Sequence, residues 1–138
     1  MRPDPKAEGL RWLRQAEHDL SDAEYSQAGR RYSLACFLCH QAAEKALKAF
    51  LYARGAEQVL GHSVADLARE CGSLDGDFLT LRPRAAPLDL YYVPTRYPNS
   101  LPGGIPAEAF DEGDARRALG LAGDVIRVVR ARLGEDAR

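Results

Sequence analysis

Apolar residues recur at steps of three and four along most of the chain, the spacing of one face of a helix. Leu10, Leu13, Ala16 or Glu17, Leu20 and Ala23, with charges between them, predict an amphipathic helix from Ala7 to about Gln27, stopped at Gly29. A second helix is expected from about Ser33 to Arg54, closed by Gly55. His62-Ser63 opens a short third helix ending near Gly72. Ser63 is its N-cap, and Val64, Leu67 and Ala68 form its apolar face. The last helix runs from near Asp111 to about Leu133 on a stripe of Ala115, Ala118, Leu119, Ala122, Val125, Ile126, Val129 and Leu133.

Between these, Phe78, Leu79 and Leu81 point to helix, but Pro83 and Pro87 predict a break into two short pieces. Residues 98–107 carry Pro98, Pro102, Gly103, Gly104 and Pro106 and are expected to be loop. No segment alternates with period two. The pattern predicts one all-α domain, an up-and-down bundle of four to five helices, three long and the rest short, with its core over about residues 8–132.

One face of the second helix is made of small residues, Ala35, Cys39, Ala42, Ala46, Ala49 and Ala53, which allow another helix to approach closely. Leu34, Phe37, Leu38, Leu47, Phe50 and Leu51 add bulk for the core or for a dimer contact. Its polar residues form two rows, His40/Glu44/Lys48 and Gln41/Lys45. Either these rows are solvated, with Glu44 and Lys48 paired along the helix, or they line a cleft, lysines toward phosphate and His40 or Gln41 toward a base or ribose.

The nonapeptide Tyr91-Tyr92-Val93-Pro94-Thr95-Arg96-Tyr97-Pro98-Asn99 gathers three of the six tyrosines with two of the eight prolines. Its prolines push Val93 and Tyr97 toward extended backbone. The expectation is a stiff, non-helical loop presenting rings, a hydroxyl and a guanidinium.

Composition removes several function classes. A net charge of −1 supplies no global field for nucleic acid or membrane. Sixteen arginines stand against three lysines, beside 22 alanines and one asparagine, a bias that GC-rich coding accounts for. No run approaches the ~18 apolar residues of a membrane span, and Met1 leads into charged sequence. A cytoplasmic protein with reduced cysteines is expected. Cys36-Phe37-Leu38-Cys39-His40 matches a haem-attachment string, but it lies within a helix and Met1 is the single methionine. Buried packing cysteines are expected, with neither metal nor cofactor. No spacing selects a catalytic triad, and no phosphate-binding glycine pattern occurs.

Two segments together resemble a known family. Residues 35–49, ACFLCHQAAEKALKA, are similar to the second-helix signature of HEPN domains, and residues 88–98, LDLYYVPTRYP, to the same family's tyrosine-rich loop. The resemblance covers roughly residues 8–132. It implies a four- to five-helix bundle, a homodimer packed through its long helices, and partnership with a minimal nucleotidyltransferase in a toxin–antitoxin or nucleotide-handling pair. Many members are metal-independent ribonucleases using an arginine followed by a histidine a few positions on. Here no histidine follows Arg96, and Arg54 and His62 span a helix end. Arg11 and His18 have the spacing but lie on the first helix, as weak catalytic candidates.

The resemblance therefore points to the non-catalytic, nucleotide- or RNA-binding branch. The expected ligand-facing residues are His40, Gln41, Glu44, Lys45, Lys48, Tyr92, Thr95, Arg96 and Tyr97. Lys45, Lys48 and Arg96 would meet phosphate, and Tyr92 or Tyr97 would stack on a base. The alternatives are an interaction module without ligand and a ribonuclease toxin using Arg11 and His18.

Overall fold

A computed structural model of the chain describes residues 4–137. Its helices are α1 (Pro5–Ala28), α2 (Tyr32–Ala53), α3 (Val64–Gly72), α4 (Asp77–Ala85), a single turn α5 (Pro106–Ala109) and α6 (Glu112–Ala137), with no strand among the described residues. Asp4 caps α1 by accepting from the Ala7 amide, and Pro5 takes the first turn, where its missing N–H costs nothing. Ser63 caps α3 as expected, accepting from the Asp66 amide.

α1 and α2 form an antiparallel hairpin, and α6 packs against both. The small face of α2 lies at the centre, with Ala35, Cys39, Ala42, Ala46 and Ala49 all at 0% exposure. Close approach is literal at Gly9 of α1. A methyl group there would sit 2.7 Å from Ala53 Cβ and 2.8 Å from the Ala49 carbonyl oxygen. On α1 the inward residue is Ala16 rather than Glu17, and the α6 stripe is buried except for a partly covered Leu119. α3 and α4 pack on each other and close the far end of the core, where Phe50 meets Phe78 at 4.5 Å between ring centroids. No described helix is long and apolar enough to cross a membrane.

Two short helical pieces lead into the tyrosine segment as expected, but the places where proline acts need correcting. Pro83 does not break α4, which runs through it. The hydrogen bond it forgoes would have gone to Leu79, and both residues are exposed, so water can replace it. Pro87 instead opens a 3-10 turn, Ala86–Tyr91. The tyrosine segment is not simply extended either: Val93–Thr95 and Pro98–Ser100 are further 3-10 turns, each with a proline in its first positions. Tyr97 is extended as expected (φ −127°, ψ 123°), whereas Val93 enters the turn. Within 98–107, expected to be loop, Pro106 begins α5.

Candidate functional site

His40, Glu44 and Lys48 stand one turn apart along α2, on a face that packs against α3 and the 3-10 turns. The row is not solvated: these residues retain only 0%, 5% and 6% exposure. Three buried polar side chains on one helix face have to satisfy one another or find partners. Lys48 Nζ donates to Glu44 Oε2 at 3.0 Å. Glu44 Oε1 accepts from His62 Nδ1 at 3.2 Å, which ties in the residue just before the α3 cap.

The 3-10 geometry of residues 86–91 sets the other wall. With three residues per turn, Leu88 and Tyr91 share one side and are both buried in the core. Asp89, and Tyr92 three residues on, come round together toward α2. Asp89 accepts from Ser63 Oγ (2.8 Å), the Val64 amide (2.7 Å) and the Ala65 amide (3.2 Å). The unpaired amides at the α3 N-terminus are thereby met by a carboxylate from the chain itself.

The Tyr92 ring lies against His40 at 4.8 Å and 16°, and against Phe37 at 6.3 Å and 12°. It also meets the His62 ring, tilted, at 5.2 Å. Arg96 sets its guanidinium carbon 5.6 Å over Phe37.

His40 Nδ1 accepts from Gln41 Nε2 at 3.4 Å. Its Nε2 comes within 3.3 Å of Asp89 Oδ1 without completing a hydrogen bond. Burial lowers the pKa of His40 from its ordinary 6.5, against the opposing pull of Glu44, Asp89 and the His62 backbone. The imidazole is therefore neutral near pH 7. His40, His62, Ser63, Asp89 and Tyr92 line a cleft of about 270 Å³.

The expected ligand set is only partly brought together. His40 and Tyr92 line the cleft, and Glu44 and Lys48 lie behind it, with Lys48 bound to Glu44 rather than free for phosphate. Lys45 faces α1 instead, donating to Asp19 at 2.6 Å, and Asp19 also accepts from Gln15. Thr95 is buried, its hydroxyl directed at the Tyr91 and Tyr92 carbonyls at 2.8 and 2.7 Å, so it fastens the turn. Arg96 and Tyr97 are exposed.

Arg11 and His18 are each engaged on their own helix, with Glu8 at 2.8 Å and Asp22 at 3.4 Å, on an open surface away from the cleft. Asp89 and His62 were missed as site residues. The one signal for them was a polar Asp89 between Leu88 and Leu90 and a histidine abutting a cap.

Neither the three thiols nor Ser63 is poised as a nucleophile. Cys36, Cys39 and Cys71 are buried, and burial pushes the thiols up, to about 12 at Cys36 and Cys71. Cys71 Sγ points at the Leu47 carbonyl. Ser63 Oγ is committed to Asp89 and the Asp66 amide. Stacking and hydrogen bonding are what the cleft offers.

Fold and site together define a class: small all-α bundles whose central helix carries a buried polar row roofed by an aromatic turn. The model of the HEPN domain family matches residues 10–132, and the chain belongs to that family. It is similar to a Thermus thermophilus protein of known structure, with 39% identity over 89% of this chain and 96% of that one and a TM-score of 0.80. An archaeal HEPN homologue shares 36% identity over 91% and 97%, with a TM-score of 0.75. A HEPN domain protein from Thermotoga maritima shares 31% over 90% and 98%, with a TM-score of 0.71. No curated protein matches the chain.

Proposed function

We propose that this HEPN-domain protein binds a nucleotide or an RNA end where the tyrosine–arginine turn meets α2, and that it does so as a homodimer working with a minimal nucleotidyltransferase. One observation carries the ligand reading: Phe37, Tyr92 and His40 form a stacked series with Arg96 over its outer ring. Stacked aromatics beside a guanidinium suit unpaired bases and the phosphate joined to them. Arg96 takes the phosphate role alone, because Lys45 and Lys48 are held by Asp19 and Glu44. The dimer and the partner enzyme rest on the family resemblance.

Titration of ATP, GTP and a short RNA into the wild type and Arg96→Ala tests this reading. Loss of a charge-assisted contact is expected to weaken binding about tenfold or more. Equal binding by both proteins removes Arg96 from the site, and no binding by either removes the ligand. A second reading has its own observation: Leu90, Val93 and Tyr97 are 67%, 40% and 59% exposed, a surface suited to docking a partner protein. Loss of a co-purifying nucleotidyltransferase in Tyr97→Ala, with folding intact, would favour it.

A further inference from the structure

We propose that the cleft between α2, the start of α3 and the 86–92 turn is a pocket for a nucleobase, read by His40 and Asp89, from which the phosphates of the ligand are kept out. The inference rests on the nucleotide-binding reading and says which part of the ligand enters.

The first observation is the unpartnered His40 Nε2 in a side chain only 1% exposed. With the Gln41 amide beside Nδ1 and a carboxylate oxygen 3.3 Å from Nε2, the proton of the neutral ring belongs on Nε2. A buried N–H left without an acceptor is uncommon and is satisfied when a ligand brings one. Asp89, 3.3 Å away, and the His62 backbone draw on the ring without completing a hydrogen bond to Nε2.

The second observation is the character of the walls. Asp89 has about one of its roughly four acceptor positions left after meeting Ser63, Val64 and Ala65. The cleft thus holds a donor and an acceptor side by side, 3.3 Å apart. That pair complements the edge of a base carrying an acceptor next to an N–H. The rings of Tyr92 and of the exposed His62 border the same space and supply flat surfaces for stacking.

Charge excludes the phosphate. Asp89 lines the cleft and Glu44 lies behind it, while the nearby cation Lys48 is bound to Glu44. The α3 N-terminus, a ready anion site, is filled by Asp89. A phosphate placed there would meet like charge.

The test is calorimetric titration of the full chain with the four ribonucleosides, their 5′-monophosphates and ribose 5-phosphate, with the histidine ring N–H signals of the wild type followed by NMR. At least one nucleoside is expected to bind, its 5′-phosphate changing the affinity by less than about threefold, as for a phosphate outside the pocket. Ribose 5-phosphate should not compete. The His40 Nε2–H signal should shift on nucleoside addition, and His40→Leu, which carries no donor, should bind about tenfold more weakly for the lost hydrogen bond. The NMR readout decides the matter even if that variant folds poorly.

Nucleotides that bind while nucleosides do not, displacement by ribose 5-phosphate, or a His40 signal unmoved by a bound nucleoside would each overturn the pocket and leave nucleotide binding intact. No binding of any of these ligands would overturn the pocket, and absence of ATP, GTP and RNA binding as well would remove both readings.

Discussion

Tyr92 and His40 lie ring on ring, 4.8 Å between centroids and 16° from parallel, and the contact joins the tyrosine turn to the central helix. Removing the Tyr92 ring strips His40 of its cover and unstacks Phe37. Tyr92→Ala is expected to lower unfolding free energy by about 1–3 kcal/mol, part from lost aromatic pairing and part from the void. Tyr92→Phe keeps the stack and should stay within about 0.5 kcal/mol of wild type. Urea unfolding of the two variants distinguishes stacking from any role of the hydroxyl.

His40 makes stability depend on pH. Its folded pKa lies below the ordinary 6.5 because burial penalises the charged ring, so between those values the unfolded chain binds more protons. Stability is fully present above 6.5 and declines as pH falls through that window, levelling off below the folded pKa. Glu44 and Asp89 face the same ring, with carboxylate oxygens 4.0 Å from Nδ1 and 3.3 Å from Nε2. Melting temperatures between pH 7.5 and 5.5 should fall for the wild type and fall less for His40→Gln. An identical slope in the variant would assign the effect to other groups.

Asp19 and Lys45 tie α1 to α2 through a 2.6 Å contact, with the Asp19 side chain 8% exposed. Truncating the lysine leaves a nearly buried carboxylate with Gln15 as its remaining partner. Lys45→Ala should cost about 1–3 kcal/mol, and Asp19→Asn in the same chain should restore part of it. Nucleotide titration of Lys45→Ala should match wild type, since Lys45 faces away from the cleft.

Two glycines make opposite predictions. Gly9→Ala forces a methyl into Ala53 and the Ala49 carbonyl, so α1 must move off α2. Overpacking of about 1–3 kcal/mol exceeds the helix-propensity gain of about 1 kcal/mol, and the variant should be less stable. Gly120 on α6 is exposed with nothing within 4 Å of the added carbon, so Gly120→Ala should stabilise by about 0.5–1 kcal/mol. Thermal melts of the two variants should move in opposite directions.

Much of this molecule is written in local pattern. The three long helices, the Ser63 cap, the small face of α2 and the α6 stripe follow from side-chain spacing, because an α-helix satisfies its backbone internally and its buried face repeats every few residues. Similarity of the second helix and the tyrosine segment was enough to point to the HEPN family. Proline was the weak point: Pro83 reads as a breaker, but one hydrogen bond lost at an exposed turn does not stop a helix whose Phe78 and Leu81 are buried.

A helical wheel shows that His40, Glu44 and Lys48 share a face and that Gln41 and Lys45 share another. It does not show what covers either face. Packing decided that the first row is buried with His40 under Tyr92, and that Lys45 turns to Asp19. Packing also brought Asp89 to the start of α3, from a separation of 24 to 26 residues, and left His40 Nε2 without a partner beside it. Those contacts join segments distant in the chain, and burial makes them matter, since a polar group removed from water must find its partner wherever the fold places one.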